Sequence, residues 1–413
     1  MRVAIIGSGI SGLGAAWLLA REHEVTVFEA NDYAGGHTHT HDIALGDASY
    51  RIDTGFIVCN PHHYPHFMRL LGALGVGTRE TTMSFALRNE KSGLEYNATR
   101  LNTLFCQRRN LVSPRFWGMV RDILRFYREA ANLLDGEGIG PSLGEYLEQH
   151  RYSDAFRDDH LLPMASALWS SPSRQILQFP ARYLVQFMAN HCMLQTRGRP
   201  PWRVVEHGSK TYVEAWQRLC AARLRLSTPV RTVHRDVEGV QISSSAGDER
   251  FDQVIFACHS DQALRLLGDA SDRERDILGA IRFQDNDTVL HTDVRLLPRN
   301  RNAWAAWNAL VLDGAQSTCT VTYDMNLLQG IAAPETFCVT LNCSDRIDPA
   351  RILKRMHYQH PVYTAASVNA QTRRHEINGQ NRTWFAGAYW GWGFHEDGMR
   401  SAVEVAAGLG ARW

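Results

Sequence analysis

The residues with the clearest chemical purpose are glycines near the start of the chain. Gly7-Ser8-Gly9-Ile10-Ser11-Gly12 follows the apolar run Val3-Ala4-Ile5-Ile6 and leads into the helix-forming stretch Leu13 to Ala20. A second strand pattern, Glu24-Val25-Thr26-Val27-Phe28, ends at Glu29, 22 residues after Gly7. Strand, glycine turn, helix, strand and terminal acid in this order specify a dinucleotide-binding βαβ unit. Gly7 makes the turn, Gly9 lets the backbone approach a pyrophosphate, Gly12 allows close helix packing, and the Glu29 carboxylate binds ribose hydroxyls. Ser8, Ser11 and Ala30 belong to the same candidate lining.

Past Glu29-Ala30 the chain runs through Asn31-Asp32-Tyr33-Ala34 to Gly35-Gly36, His37 and Thr38. This extension resembles the flavin amine oxidase, phytoene desaturase and protoporphyrinogen oxidase superfamily, whose glycine doublet passes close to the diphosphate of FAD. Tyr33 and His37 stand where that family commonly has arginines. The resemblance continues through Ile52-Asp53-Thr54-Gly55, His207-Gly208-Ser209-Lys210, Pro229-Val230 and the strand Phe251 to Cys258. It ends at Trp384-Phe385-Ala386-Gly387-Ala388 and a small-residue helix that Gly398 is expected to open. FAD is the implied cofactor. Thr54 and Gly55 are the implied second flavin contact, the Val230 backbone the adenine reader, and Gly387 and Ala388 the diphosphate and ribityl neighbours. Asp397, Gly398 and Met399 mark the helix end that faces the flavin pyrimidine and stabilises the anionic reduced ring.

At closer range the chain resembles bacterial FAD-binding proteins encoded beside cyclopropane-fatty-acid-synthase-like methyltransferases. Trp304 to Asn308, Thr322 to Asn326, His360-Pro361-Val362-Tyr363 and the run Ala388 to Gly398 carry this likeness. It implies oxidation of unsaturated, methyl-branched acyl chains and a methyltransferase of the cyclopropane synthase type as partner. In amine oxidases an aromatic cage residue precedes the glycine matched to Gly398 by three positions, and here that residue is His395. His395 is then expected either to face the reacting carbon as a base, oriented by Glu396 or Asp397, or only to pack against the isoalloxazine. Tyr389 is expected to wall the substrate.

Lysine is scarce, with Lys91, Lys210 and Lys354 set against 41 arginines. Many amine oxidases hold a water at flavin N5 with a lysine of the substrate-domain sheet, and none occurs between Lys210 and Lys354. Weight therefore moves toward carbon–carbon desaturation or isomerisation. A flavin amine oxidase releasing hydrogen peroxide, a redox-neutral flavin isomerase, and a non-catalytic FAD-stabilised partner of the methyltransferase are the alternatives. The alternating His37, His39 and His41, like His62, His63 and His66, are expected to hold no metal, because strand neighbours of this kind rarely close a tetrahedral site.

These residues must be positioned by a discontinuous frame. The expected fold is α/β: a Rossmann-type FAD-binding domain, glutathione-reductase-like, from residues 1–80, 200–280 and 371–413, with an inserted α+β substrate domain from 81–199 and 281–370. The first insertion reads mostly as helix. Over Pro114 to Leu134 the spacing of Trp117, Val120, Ile123, Leu124, Tyr127 and Leu134 marks an apolar face, with Arg115, Arg121, Arg125 and Arg128 on others. That helix is expected either to pack with a solvated basic face or to lie in a membrane interface. The second insertion alternates as strand at Thr288 to Val294, Cys319 to Tyr323 and Phe337 to Leu341.

A formal net charge of +1 over 413 residues excludes a general nucleic-acid binder. Eight cysteines without a CxxC pair suit free thiols in a reducing cytosol. The uncharged run Val3 to Ala20 is broken by Gly7, Gly9, Gly12 and Gly14, so it is not a spanning segment. The expected location is the cytoplasm, with at most peripheral contact at the inner membrane face. The expected substrate is a hydrophobic small molecule or lipid.

Overall fold

The computed structural model describes residues 1–196, 198–313 and 319–413. Arg2–Ile6 and Glu24–Phe28 are buried at every position but the first. Strands so enclosed belong to a parallel sheet covered on both faces. They form the centre of a five-stranded, all-parallel sheet in the order Arg223–Arg225, Glu24–Phe28, Arg2–Ile6, Gln253–Phe256, Thr383–Phe385.

One face of this sheet, through Val3 and Ile5, packs on helix Ile10–Leu19, which in turn packs on helix His395–Gly408. The other face, through Ala4, Ile6 and Phe256, packs on the antiparallel meander Val230–Arg235, Val240–Ser244 and Gly247–Phe251. Helix Ile10–Leu19 is therefore apolar nearly all round, as a helix covered on several sides must be.

A seven-stranded mixed sheet makes the second half of the molecule. Its order is Ile352–Pro361, Phe283–His291, Cys338–Leu341, Cys319–Asp324, Trp307–Val311, Phe85–Asn89, Leu94–Asn97. The last two strands lie in the stretch expected to be mostly helical, and they enter by parallel pairing with Trp307–Val311. Helices follow from Leu101 onward, ending in Ala181–Asn190.

Helix Pro114–Glu129 forms where expected, but on a different face. It buries Phe116, Met119, Asp122 and Phe126, and leaves Trp117 and Leu124 exposed. Two apolar stripes one residue apart compete for the core along this helix, and the stripe carrying Phe116 and Phe126 fills the space beside Tyr96 and Phe156. Among the described residues no helix is long and apolar enough to cross a membrane. Cys59, Cys106, Cys192, Cys220, Cys258, Cys338 and Cys343 are free thiols.

Candidate flavin site

The glycine turn closes as its spacing requires. The Gly7 N–H donates to the Phe28 carbonyl at 2.8 Å, tying the turn to the end of the second strand. A Cβ on Gly12 would overlap the Gly7 carbonyl oxygen, so the helix can start this close to the strand only without a side chain there. Gly9 is different. The position of its Cβ has no protein atom within 4 Å, and Gly36 stands over it, with its own Cβ position 3.1 Å from the Gly9 Cα. Two glycine-lined loops thus face one another at the N-terminus of helix Ile10–Leu19, where unpaired N–H groups and the helix dipole favour an anion.

Glu29 directly follows the second strand. Its carboxylate accepts from the Ser8 N–H at 2.9 Å, from Ser8 Oγ at 2.5 Å and from the Asn31 N–H at 2.9 Å. Ala30 beside it is exposed, and Ser11 is buried in the first helical turn. The Thr228 N–H donates to the Glu29 carbonyl, which sets Pro229 and Val230 next to the same strand end. Gly35 donates to the Ser8 carbonyl at 3.0 Å, holding the second loop over the first.

From the doublet the chain leads to a buried polar knot. Thr38 Oγ1 lies 2.6 Å from the Tyr212 hydroxyl and 3.0 Å from His395 Nε2, and that nitrogen is 3.2 Å from the same hydroxyl. The His395 ring stacks on Phe56 at 3.6 Å between centroids and meets the Phe67 edge. Thr54 Oγ1 bonds the Tyr358 hydroxyl at 2.7 Å, and Phe56 N–H donates to the His37 carbonyl, which draws Gly55 against His37. Behind the knot, Asp53 accepts from Thr40 and from Ser209, and burial raises its carboxyl to about 6.

Beside it lies a group of imidazoles. His37 is within 5.3 Å of His360 and 5.1 Å of Tyr358, ring to ring, and its Nε2 is buried with no hydrogen-bond partner. Burial holds His37 well below the usual histidine range, with the neighbouring imidazoles adding to the effect, and holds His360 at about 4. His360 Nδ1 is occupied by the Asn286 amide at 2.9 Å. Of the second histidine group, His62 and His63 come within 4.8 Å of the Cys192 thiol, whereas the His66 N–H donates to Glu396.

Four expectations at the C-terminal signature require correction. The helix begins at His395, and Gly398 lies inside its first turn against Ile10. Asp397 sets that start: its Oδ2 accepts the N–H groups of Trp392 and Phe394 at 3.0 Å each, and its Oδ1 binds Arg400 at 2.6 Å. Glu396 accepts the N–H groups of His66 and Phe67 at 3.1 and 3.0 Å, at the start of helix Pro65–Ala73. Neither acid orients His395.

Burial alone drives His395 to about 3, so it is a neutral ring at physiological pH and a weak proton acceptor. Tyr389 turns away from His395 into the core between the parallel sheet and its meander, against Phe283 and Trp390. The Met399 side chain is fully buried against Gly14, filling the contact between the two helices. Gly387 donates to Ser401 Oγ, and Ala388 accepts from the Gly391 and Gly393 N–H groups. The signal that sequence reasoning missed is Tyr212, which lies 174 residues from its partner Thr38.

The βαβ cradle, the terminal acid and a second glycine loop over the first define a dinucleotide-dependent oxidoreductase of mixed α/β fold. The model of the flavin-containing amine oxidoreductase family matches residues 10–282, and the chain belongs to that family. Its cofactor is FAD. In solved structures the chain is similar to cyclohexylamine oxidase from Brevibacterium oxydans IH-35A, at 17% identity and a TM-score of 0.71, over 99% of this chain and 98% of that one. It is equally similar to the CLA-producing fatty acid isomerase from P. acnes, at 15% identity and a TM-score of 0.71, with the same coverage. A 55-residue stretch is 53% identical to the 1-hydroxycarotenoid 3,4-desaturase of Flavobacterium sp. (strain P99-3), covering 13% of this chain and 10% of that one. The match thus spans a tenth of that relative's length.

Proposed function

We propose that this FAD-dependent oxidoreductase removes two hydrogens from a hydrophobic substrate, an unsaturated or methyl-branched fatty acyl chain, leaving a new double bond. FAD supplies the electron sink for hydride leaving a C–H bond. The observation that carries the reading is that, among the described residues, no carboxylate at the polar knot or the imidazole group is free of protein donors to face an ammonium. Asp53, Glu396 and Asp397 are all occupied by the protein's own donors.

The walls around the knot suit an acyl chain. Phe187 stacks on His191 and on Phe394 and meets Trp392 edge-on, an aromatic surface that reaches the residue preceding His395. Lys354, the one lysine of the seven-stranded sheet, is exposed on strand Ile352–Pro361. A copy of the amine-oxidase lysine is therefore missing from the interior of that sheet. We assign the paired proton to the imidazoles. His37 Nε2 has no hydrogen-bond partner, whereas His395 Nε2 is held by Thr38 and Tyr212; burial lowers both rings, so geometry and not basicity favours His37. The glutathione-reductase-like description of the cofactor domain and its division at residues 80, 200, 280 and 371 belong to the same proposal. The parallel sheet, its helical layer and its meander support them.

Anaerobic mixing of the FAD-loaded protein with lipids carrying methyl-branched unsaturated chains tests the reading. Loss of the oxidised flavin absorbance, together with loss of two hydrogens from the chain by mass spectrometry, is expected. Bleaching by amines and not by lipids would replace it with an amine oxidase. A moved double bond with prereduced flavin and no acceptor would replace it with an isomerase.

A further inference from the structure

Over residues 100–128 the chain carries seven arginines and one acid, although the whole protein has a net charge of +1. The acid, Asp122, is buried, accepts from the Ser153 N–H and lies 3.8 Å from Arg121, while Arg115 and Arg125 pair with Asp159 and Glu129; among the described residues Arg100, Arg108, Arg109 and Arg128 have no acidic partner. The same segment holds five of the nine large apolar side chains most exposed among the described residues: Leu101, Leu111, Val112, Trp117 and Leu124. Leu101 is 76% and Val112 83% exposed, and five such side chains within one short segment mark a surface with a use.

The arrangement is ordered. On helix Pro114–Glu129, Trp117, Arg121, Leu124 and Arg128 follow at spacings of four, three and four, so apolar and cationic groups alternate along one outward stripe. Trp117 is fixed in place by donating its indole N–H to the Leu111 carbonyl at 2.9 Å and by packing on Phe105. Next to the stripe is a cleft of about 230 Å³ lined by Arg109, Ser92, Phe116 and Met119 and by Arg115, whose guanidinium is held by the buried Asp159 carboxylate at 2.7 Å.

We propose that this face docks on an anionic phospholipid bilayer, with Val112, Trp117 and Leu124 entering the acyl boundary and the arginines on lipid phosphates. Aliphatic side chains as exposed as Leu101 and Val112 favour lipid over a nucleic acid, which would meet the arginines but gain nothing from the leucines. The inference stands independently of the substrate proposed above, since it shares no residue with the polar knot.

The test is flotation of the FAD-loaded protein with vesicles of phosphatidylcholine alone or with phosphatidylglycerol added. Binding to the phosphatidylglycerol vesicles only, weakened by salt, is expected. Replacing Arg121 and Arg128 by Gln should weaken it about 25-fold, about fivefold for each arginine. Val112→Glu should weaken it by at least about tenfold through lost insertion and added repulsion. Flavin absorbance and melting temperature, unchanged in both variants, show that they are folded. No binding to anionic vesicles, equal binding to phosphatidylcholine alone, variants that bind as wild type, or an RNA oligonucleotide bound as tightly and without regard to Val112→Glu would each overturn the proposal.

Discussion

Gly9→Ala separates the fold of the cradle from its use. The Cβ position on Gly9 is open, and its φ of −64° suits alanine, so the protein without flavin should keep its stability. The change should stay within about 0.5 kcal/mol, the range of substitutions that touch nothing. The same methyl group would enter the open space at the helix N-terminus that the proposed reading assigns to the diphosphate. Pushing the diphosphate off the helix N-terminus loses charge-assisted hydrogen bonds worth about 1.5–3 kcal/mol each. One such loss, taken at about 2.7 kcal/mol, weakens FAD binding about 100-fold.

That figure converts to a melting shift. At about 2.1 cal/mol/K per residue, the 413 residues have an unfolding entropy near ~0.87 kcal/mol/K. With FAD in excess the variant should therefore melt about 3 °C below wild type, and without FAD less than about 1 °C below it. Gly12→Ala is the contrast: its methyl group would overlap the Gly7 carbonyl, and it should lower the melting point with or without FAD. The assay is scanning calorimetry of both forms, with FAD affinity from fluorescence titration. A Gly9→Ala protein that binds FAD as wild type, or that melts low when flavin-free, would refute the assignment of the open space to the cofactor.

Thr38→Val removes a hydroxyl that both Tyr212 and His395 use, and should cost about 1–3 kcal/mol in urea unfolding, with Tyr212→Phe as the companion; no change in either would show that the knot is not formed. Because His395 stays neutral down to about pH 3, the pH–rate profile between pH 5 and 8 should carry no inflection from it, and an inflection near 6.5 that vanishes in His395→Gln would contradict the burial described. His291 is buried with Nδ1 accepting the Asp293 N–H, and its folded value is about 4 against about 6.5 unfolded. Its contribution is complete above pH 6.5 and lost as pH falls toward 4, so His291→Gln should flatten stability against pH in that window by about 1.4 kcal/mol per pH unit, as read from urea midpoints. Arg235, buried between Glu274 and Asp269, should cost about 3–5 kcal/mol when changed to Met, and Glu274→Gln in the same chain should recover part of that loss.

The N-terminal cradle was legible because its chemistry is local. Gly7, Gly9, Gly12 and Glu29 lie within one βαβ unit, and each role follows from spacing along a strand, a turn and a helix. The C-terminal signature was legible as a run but not as a geometry. Gly398 reads as a helix start by analogy, whereas the start is fixed by Asp397, whose carboxylate reaches back to the Trp392 and Phe394 N–H groups. Glu396 reads as a partner for its neighbour His395, yet successive helical residues point apart, and its carboxylate serves a helix 330 residues away in sequence. On helix Pro114–Glu129 the periodicity is compatible with two faces, and the choice depended on what Tyr96 and Phe156 offered across the gap. The Thr38, Tyr212 and His395 knot joins three distant segments, and single-residue types at such separations carry no pattern to read.

The order of strands in the parallel sheet has a consequence for how the protein is made. Gln253–Phe256 has Arg2–Ile6 on one side and Thr383–Phe385 on the other. A ribosome that has delivered the first, second, third and fourth of these strands has still not delivered the fifth, nor the helix His395–Gly408 that covers Ile10–Leu19. Until then the growing chain carries an unpaired strand edge and an uncovered apolar helix, both of which invite association with other chains. The glycine turn of the flavin cradle is made well before helix His395–Gly408, which packs on the helix that turn opens, so the cradle waits for that late element before it is complete. Free FAD present once that helix has docked then decides how much of the newly made protein reaches its loaded state.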